Sequence, residues 1–321
     1  MATVLMASEW GLMSYDGSSD SGLSKNERRE AARDKARVLR DQQKKKDRRS
    51  RVILQGSLAV LVLAIVTVVG LVIVNSVRPP SPGPANMLSD GVKIGEGFKA
   101  VPTAALQPDA SPVPSKANAA NVIDLRIYID YQCPYCGDFE ATNAAQIKKW
   151  VSIGAATLEI HPLAILDQSS LGKKYSTRSA NAAACVANFS PNQFFDFSAL
   201  LFTNQPKENT EGLTDDRIIS LTKQAKVSKA DSIATCITDQ RFKSWTNAAT
   251  ARATTDALAG TDVNKLAGTP TVIINGKKYD GAIDNALDFA AAVNKAAGDS
   301  FSEGSSATPS PSPSPSVGDG N

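Results

Sequence analysis

The sequence predicts an α/β domain that contains an inserted block of α-helices and follows a single transmembrane helix. Two β-branched runs flank a helix-like stretch and so form a β–α–β unit, and several helical patterns then precede two further strands and a closing helix. Upstream of this domain, an apolar run occupies roughly residues 56–74. The predicted order is therefore membrane helix, βα, β, helical insert, ββα.

The N-terminal region combines a basic segment with the apolar run. The chain has 321 residues and a net charge of +3, but Lys and Arg are concentrated between residues 25 and 51. A basic run could bind nucleic acid or lipid headgroups, yet this one adjoins nearly 20 apolar residues, about the length that crosses a 30 Å bilayer core. The positive-inside rule explains the arrangement better. We expect a cytoplasmic tail over 1–51, a transmembrane helix over 52–77, and no nucleic-acid partner.

A cleaved signal peptide is the competing interpretation of the apolar run. Its apolar core would be shorter, would begin nearer Met1 and would end in small residues suited to cleavage. Here the polar and proline-containing segment 75–80 follows instead. We expect an uncleaved single-pass anchor that places residues 78–321 outside the cytoplasm.

Two segments lack the patterns of a packed domain. Residues 78–119 are rich in Pro, Ser, Gly and Ala, which predicts an extracytoplasmic linker with one short strand near 97–101. Residues 299–321 contain Ser-Pro repeats, which predict a disordered tail.

The domain itself is predicted over 120–298. Its first strand spans 122–130, a helix spans 134–151, and a second strand over 157–165 runs parallel to the first because a crossover joins them. The insert, about 168–262, shows helical patterns at 175–187, 191–201, 214–225, 229–238 and 241–259. A strand over 271–274, an Asn-Gly turn, a return strand over 278–280 and a helix over 284–297 complete the domain.

The segment Cys133-Pro134-Tyr135-Cys136 lies where the first strand meets the first helix. A helix N-terminus offers unpaired N–H groups and the positive end of the helix dipole, and both favour a thiolate. Such sites lower a cysteine pKa from about 8.5 to roughly 3.5–7. Pro134 suits the first helical turn, and Cys136 then faces back toward Cys133. We expect a redox-active pair in which Cys133 is the nucleophile and Cys136 the resolving cysteine.

Half of a zinc site and a permanently closed structural disulfide are the alternatives for this pair. The remaining cysteines, Cys185 and Cys236, are isolated, and the only histidine, His161, precedes a proline. No second CxxC or CxxH motif is present, so we expect no metal and no bound cofactor. A disulfide across so short a loop would also remove little entropy from the unfolded chain.

Two motifs and the order of elements carry a resemblance to a known family. The segments 130–136 (DYQCPYC) and 268–276 (GTPTVIING) resemble those of the DsbA-like thiol:disulfide oxidoreductases, which have a thioredoxin fold with a helical insertion. The resemblance covers roughly residues 120–297. The combination of an anchor, one domain and an extra cysteine pair is similar to membrane-anchored actinobacterial members, which implies a bacterial cell membrane.

The resemblance implies further site residues. Pro270 corresponds to a cis-proline that lies against the dithiol, and Thr269 to the residue whose backbone pairs with an extended substrate. Thioredoxins carry a buried acid six residues before the first cysteine, but Ile127 occupies that position here. Asp130 and Glu140 are the available acids. We take Asp130 as the candidate proton shuttle for Cys136, although solvation at the surface is the commoner fate of both side chains.

Cys185 and Cys236 are expected to form a structural disulfide, because all four cysteines follow the membrane helix and lie in a compartment where disulfides persist. The bond would close a loop of about 50 residues and contribute on the order of 4 kcal/mol in the chain-entropy model. A second redox relay is the alternative.

The predicted function is a membrane-anchored disulfide oxidase for reduced secreted or envelope proteins. The family resemblance implies reoxidation by a quinone-linked membrane enzyme of the VKOR or DsbB type. An envelope reductase or isomerase of the same fold is the alternative, because direction depends on reduction potential and 30 mV amounts to only about 1.4 kcal/mol. A non-catalytic envelope binding module stapled by its cysteines is the alternative from another class.

Overall fold

The computed structural model describes residues 25–76, 81–119 and 121–306. These residues form two separate units, an N-terminal helix and the domain that follows it. Most of the expected cytoplasmic tail before the basic run, and the Ser-Pro repeats after residue 306, lie outside the described residues.

The N-terminal unit is one continuous helix, α1 (Lys25–Ser76), of 52 residues. It contains the basic run and the apolar run without a break between them. Its stretch Ala32–Thr67 is long and apolar enough to cross a membrane by length and composition, criteria that a signal sequence near an N-terminus also meets. Val60, Leu63 and Val66 are 61–68% exposed, so no part of the chain that the structure describes covers this apolar surface.

The domain is built on a six-stranded mixed sheet of order β2-β1-β4-β3-β5-β6. Its strands are β1 (Val92–Gly95), β2 (Lys99–Ala100), β3 (Ile123–Ile129), β4 (Ala156–Pro162), β5 (Thr271–Ile274) and β6 (Lys277–Lys278). The central pair, β3 and β4, is parallel, as the crossover predicted, and β5 pairs with β3 in the antiparallel sense. The thioredoxin-like topology predicted from the sequence is confirmed.

Helices cover the sheet and form the insert. Between β3 and β4 lies α2 (Pro134–Ser152), and the insert contains α3 (Tyr175–Phe189), α4 (Phe194–Thr203), α5 (Asp215–Gln224), α6 (Ala230–Thr238) and α7 (Lys243–Thr255). The closing helix, α8 (Ala286–Ser306), extends beyond the predicted end at residue 297. The first part of the expected C-terminal tail is therefore helical.

The segment expected to be a linker belongs to the domain instead. Within 81–119, β1 pairs with β4 and adds an edge to the sheet. Four apolar side chains of this segment are buried at 0–4% exposure, namely Met87, Val92, Ile94 and Leu106. Their burial holds a segment of low overall hydrophobicity against the sheet, which composition alone did not predict.

The two faces of the central sheet differ in chemistry. On one face, Ile127 and Ile129 of β3 contact the buried side of α2, where Phe139 meets Phe289 of α8 with ring centroids 5.3 Å apart. On the other face, Arg126 and Tyr128 point toward α7 and the loop after it. The redox motif lies on the first face.

Candidate active site

The dithiol lies at the start of α2, where β3 delivers it. Cys133 is the N-cap of α2, with an extended backbone (φ −72°, ψ 116°), and Pro134 is the first helical residue. The carbonyl of Cys133 accepts hydrogen bonds from the N–H groups of Cys136 and Gly137, at 3.0 and 3.2 Å. Both cysteines are free thiols and buried, whereas Tyr135 is 65% exposed. Pro134 and Tyr135 therefore present the outer surface of the motif.

The environment lowers the pKa of Cys133 to about 6. The main cause is a hydrogen bond from the Cys136 thiol, with smaller contributions from Thr269 and from the backbone N–H of Cys136, against the opposing effect of burial. Cys133 is therefore largely a thiolate at neutral pH. The position of Cys133 at a helix N-terminus acts in the same direction.

Burial and the neighbouring Cys133 sulfur raise the pKa of Cys136 well above its ordinary value. Cys136 is 1% exposed and packs in the main hydrophobic core. The two sulfurs thus differ sharply: one is stabilised as an anion and the other is kept protonated. This asymmetry suits a pair in which Cys133 undergoes thiol–disulfide exchange with a substrate, while the buried Cys136 reacts only with Cys133.

The loop before β5 completes the site from the other side. The peptide bond between Thr269 and Pro270 is cis, and the Cys133 sulfur lies 3.2 Å from the carbonyl oxygen of Thr269, to which it donates a hydrogen bond when it is protonated. Thr269 and Pro270 are half-buried. The antiparallel pairing of β5 with β3, in which Thr271 lies opposite Tyr128, fixes this loop beside the end of β3.

Asp130 is not solvated, contrary to the commoner fate expected for it. It has 0% exposure, and its carboxylate accepts hydrogen bonds from the N–H groups of Gln132 and Leu166 and from the Ser176 hydroxyl, at 2.8–2.9 Å. Burial raises the pKa of Asp130, while these donors oppose the rise. Both carboxylate oxygens are already occupied by fixed donors, so the side chain ties the β3 end to α3.

Glu140 is half-buried. It lies one helical turn after Cys136 on α2, and both residues line a small apolar cavity of about 20 Å³ together with Ser198 of α4. That volume is enough for one water molecule. Burial raises the pKa of Glu140 to about 7, so the carboxyl is about half protonated at neutral pH.

Gln205 supports the motif from the insert and was missed by sequence reasoning. Its side-chain amide donates hydrogen bonds to the carbonyls of Tyr131 and Cys133, at 3.2 and 2.8 Å. A Cβ on Gly137 would lie 2.3 Å from the Gln205 side chain, so the absence of a side chain at Gly137 allows this contact. Gln205 follows α4 in a loop, and no local pattern distinguishes it from other polar loop residues.

The insert is cross-linked by a disulfide between Cys185 of α3 and Cys236 of α6, which are separated by 51 residues in the sequence. Both cysteines are buried, and their bond joins two helices that pack against each other. The pair lies in the insert and is distinct from the dithiol at Cys133 and Cys136.

A family model described as thioredoxin (Thioredoxin_4) matches residues 115–295, more than half of the chain. The chain belongs to this thioredoxin family. The match begins after β1 and β2, so the edge formed by residues 92–100 lies outside it.

Two solved structures resemble this thioredoxin-family protein over its domain. One is the reduced form of the disulfide bond oxidoreductase DsbG from Mycobacterium tuberculosis, with 28% identity, a TM-score of 0.50, and coverage of 69% of this chain and 95% of that one. The other is oxidised DsbA from M. tuberculosis, with 28% identity, a TM-score of 0.50, and coverage of 68% and 100%. The protein is a DsbA-like thiol:disulfide oxidoreductase by family and fold.

A shorter similarity relates the protein to a curated sequence. Over 80 residues, which make up 24% of this chain, the sequence is 38% identical to the serine/threonine-protein kinase PknE of M. tuberculosis. The match spans only 14% of the kinase's length.

Proposed function

We propose that the protein is a membrane-anchored, extracytoplasmic enzyme that donates disulfides to secreted or envelope proteins. The observation that carries this proposal is the opposite perturbation of the two thiols, with the pKa of Cys133 lowered to about 6 and that of Cys136 raised by burial. A pair that is stable when reduced readily gives up its disulfide to a substrate.

The reaction begins with the Cys133–Cys136 disulfide. A substrate thiolate attacks the sulfur of Cys133, the bond to Cys136 breaks, and the Cys136 sulfur takes up a proton. A second substrate thiolate then attacks the substrate sulfur of the mixed disulfide and expels Cys133 as a thiolate. The substrate loses two electrons, and the enzyme leaves as a dithiol. The low pKa of Cys133 makes it a good leaving group in this second step.

We propose that Glu140, and not Asp130, is the acid that exchanges a proton with Cys136. Glu140 shares a cavity with Cys136, and its pKa of about 7 allows it both to donate and to accept a proton at neutral pH. Asp130 is less suited to the task because its oxygens accept hydrogen bonds from Gln132, Leu166 and Ser176.

The substrate peptide is expected to lie across Tyr135 and the Thr269–Pro270 loop. Tyr135 is exposed beside Cys133, and Thr269 contacts the Cys133 sulfur through its carbonyl. An extended peptide paired with the backbone of Thr269 would be held largely through main-chain hydrogen bonds, which tolerate many sequences. Such tolerance suits an enzyme that serves many secreted proteins.

The pKa of Cys133 supports the oxidising direction over the alternatives of a reductase or an isomerase. Lowering this pKa from 9.0 to about 6 stabilises the reduced form at pH 7 by a factor of about 10. That factor corresponds to about 1.4 kcal/mol, or roughly 30 mV toward a more oxidising couple.

The proposed location rests on α1. Its exposed apolar residues need a lipid environment, and the basic residues before them would remain in the cytoplasm under the positive-inside rule. The domain would then work outside the membrane. A quinone-linked membrane partner of the VKOR or DsbB type would restore the disulfide after each turnover.

The test compares two variants in oxidative folding of a reduced substrate protein. Cys133→Ala should abolish the activity, because no sulfur remains to form the mixed disulfide. Cys136→Ala, given a substrate that already contains disulfides, should instead form mixed disulfides when its Cys133 thiolate attacks a substrate disulfide and expels a substrate thiolate. No second enzyme thiol resolves these mixed disulfides, so they should be visible on non-reducing gels. Retained oxidase activity in Cys133→Ala would overturn the proposal. A Cys133–Cys136 disulfide that fully resists mild reductant would favour the binding-module alternative.

A further inference from the structure

The turn between β3 and α2 is tied to the helical insert through its side chains. The Ser176 hydroxyl of α3 donates a hydrogen bond to the Asp130 carboxylate at 2.8 Å, and the Gln132 amide donates to the carbonyl of Ser169, also at 2.8 Å. These contacts fix the turn just before the dithiol. Neither of them involves the backbone of Cys133.

Gln205, in the loop after α4, is a side chain of the insert that does reach this backbone. Its amide nitrogen donates to the carbonyl oxygen of Cys133 at 2.8 Å and to that of Tyr131 at 3.2 Å, so both amide hydrogens are used. The two carbonyls lie on either side of Gln132. Because Tyr131 is fully buried and Cys133 is 4% exposed, these hydrogen bonds act in a medium of low dielectric constant, where their electrostatic effect is stronger than in water.

The hydrogen bond to the Cys133 carbonyl changes the charge around the reacting sulfur. A carbonyl oxygen is the negative end of the peptide dipole, and this one belongs to the same residue as the sulfur. An N–H donor on that oxygen brings positive partial charge close to the sulfur, which favours the thiolate in the same direction as the N-terminus of α2. The same contact fixes the backbone that places the Cys133 sulfur beside Cys136 and Thr269.

Gly137 leaves the space that the Gln205 amide occupies. A Cβ at Gly137 would lie 2.3 Å from the Gln205 side-chain oxygen, which is the far end of a flexible side chain. Alanine suits the α-helical backbone at this position, so in Gly137→Ala we expect the Gln205 amide to move and the helix to stay. Gly137→Ala thus removes the same contact as Gln205→Ala by a different route.

We propose that Gln205 is a positioning residue through which the helical insert holds the backbone of Cys133 and stabilises its thiolate. The inference rests on the proposed function only in taking Cys133 as the thiol that exchanges with substrate. It holds for either direction of that exchange.

The test is the midpoint of the Cys133 thiolate titration in the reduced full-length protein, followed by the ultraviolet absorbance of the thiolate as the pH is lowered. The wild type should titrate near pH 6. In Gln205→Ala and in Gly137→Ala the midpoint should rise by at least about half a unit, because one hydrogen bond that favours the anion is lost. The double variant should rise no further than the larger of the two single shifts, since both changes remove one contact.

Two more variants separate the hydrogen bond from general damage to the loop. Gln205→Glu keeps the size of the side chain but replaces the donating amide by a carboxylate, so its midpoint should rise at least as far as in Gln205→Ala. Asn204→Ala is the matched control: Asn204 precedes Gln205, is half-buried like it, and bonds to Leu200 and Arg217 instead of the turn. Its midpoint should stay near that of the wild type.

A midpoint that stays at the wild-type value in Gln205→Ala or Gln205→Glu would overturn the inference, and so would single shifts that add in the double variant. If Gln205→Ala does not fold, Gly137→Ala decides, because it retains Gln205 and should still shift. Oxidative folding by the wild type is measured on the same preparation. A wild type that fails to oxidise substrate while the variants shift as expected would reject the proposed function and still support the role of Gln205.

Discussion

The Cys136→Ala variant should raise the pKa of Cys133, because the Cys136 thiol is the main cause of its low value of about 6. At that pKa about 90% of Cys133 is thiolate at pH 7, whereas at the ordinary 9.0 only about 1% would be. The variant retains the helix N-terminus and Thr269, so we expect a pKa between these limits and at least about one unit above the wild type.

The assay is the rate of alkylation of Cys133 by iodoacetamide as a function of pH. In Cys136→Ala this is the one free thiol, since Cys185 and Cys236 are joined. The midpoint of the pH profile is the quantity to read. Rates at a single pH would mislead, because a thiolate becomes more nucleophilic as its pKa rises.

Cys136→Ser provides the matched control. Its hydroxyl can donate to Cys133 in the way the thiol does, so the pKa should stay nearer to about 6 than in Cys136→Ala. If the two variants and the wild type shared one midpoint near 6, the helix N-terminus alone would stabilise the thiolate. The role that we give to Cys136 would then be refuted.

Three further predictions concern the buried acids and the second cysteine pair. Glu140→Gln should slow the attack of Cys136 on a mixed disulfide at Cys133, which is the reverse of the first step of the proposed reaction and resolves the mixed disulfide, at least about tenfold at pH 7, as expected for the loss of a general acid–base group. Burial raises the folded-state pKa of Glu140 to about 7, so ionisation of Glu140 destabilises the folded protein as the pH rises from about 4.5 to 7. The Glu140→Gln variant should therefore have a higher free energy of unfolding than the wild type at pH 8 and the same value at pH 4. Asp130→Asn should lower the free energy of unfolding by about 1–3 kcal/mol and leave the resolution rate nearly unchanged. Replacing Cys185 and Cys236 by Ser should lower the free energy of unfolding by about 4 kcal/mol without loss of turnover in the folded fraction.

Stopped-flow resolution kinetics and urea unfolding at several pH values distinguish these cases. Slower resolution in Asp130→Asn but not in Glu140→Gln would reverse the roles of the two acids. Loss of turnover in the Cys185 and Cys236 variants at an unchanged Tm would identify that pair as a redox relay.

Periodicity and turn residues were sufficient to predict the order and pairing of strands β3 to β6. The alternation of strand and helix patterns gave the parallel pair β3–β4, and the Asn275-Gly276 turn gave the β5–β6 hairpin. The segment 81–119 was mispredicted because only a few of its side chains are apolar, and their burial depends on contacts with distant residues. Composition measures an average, whereas packing depends on where each apolar side chain lies.

The site was predictable where its residues are adjacent in sequence and unpredictable where distant elements meet. The strand–CxxC–helix order placed Cys133 at a helix N-cap. The burial of Asp130, however, depends on Ser176 of α3, and the support of the motif depends on Gln205 after α4. Neither partner has a local signal, because their positions result from how the insert packs on the sheet.

The reduction potential of the Cys133–Cys136 couple in the full-length protein tests the proposed direction most directly. It is measured by equilibration with glutathione buffers at pH 7, with the thiolate of Cys133 followed on the same sample. We expect a potential above about −200 mV, in the direction of the values of about −180 mV for protein disulfide isomerase and about −120 mV for DsbA. A potential near the value of about −270 mV for thioredoxin would contradict the proposal that the protein donates disulfides.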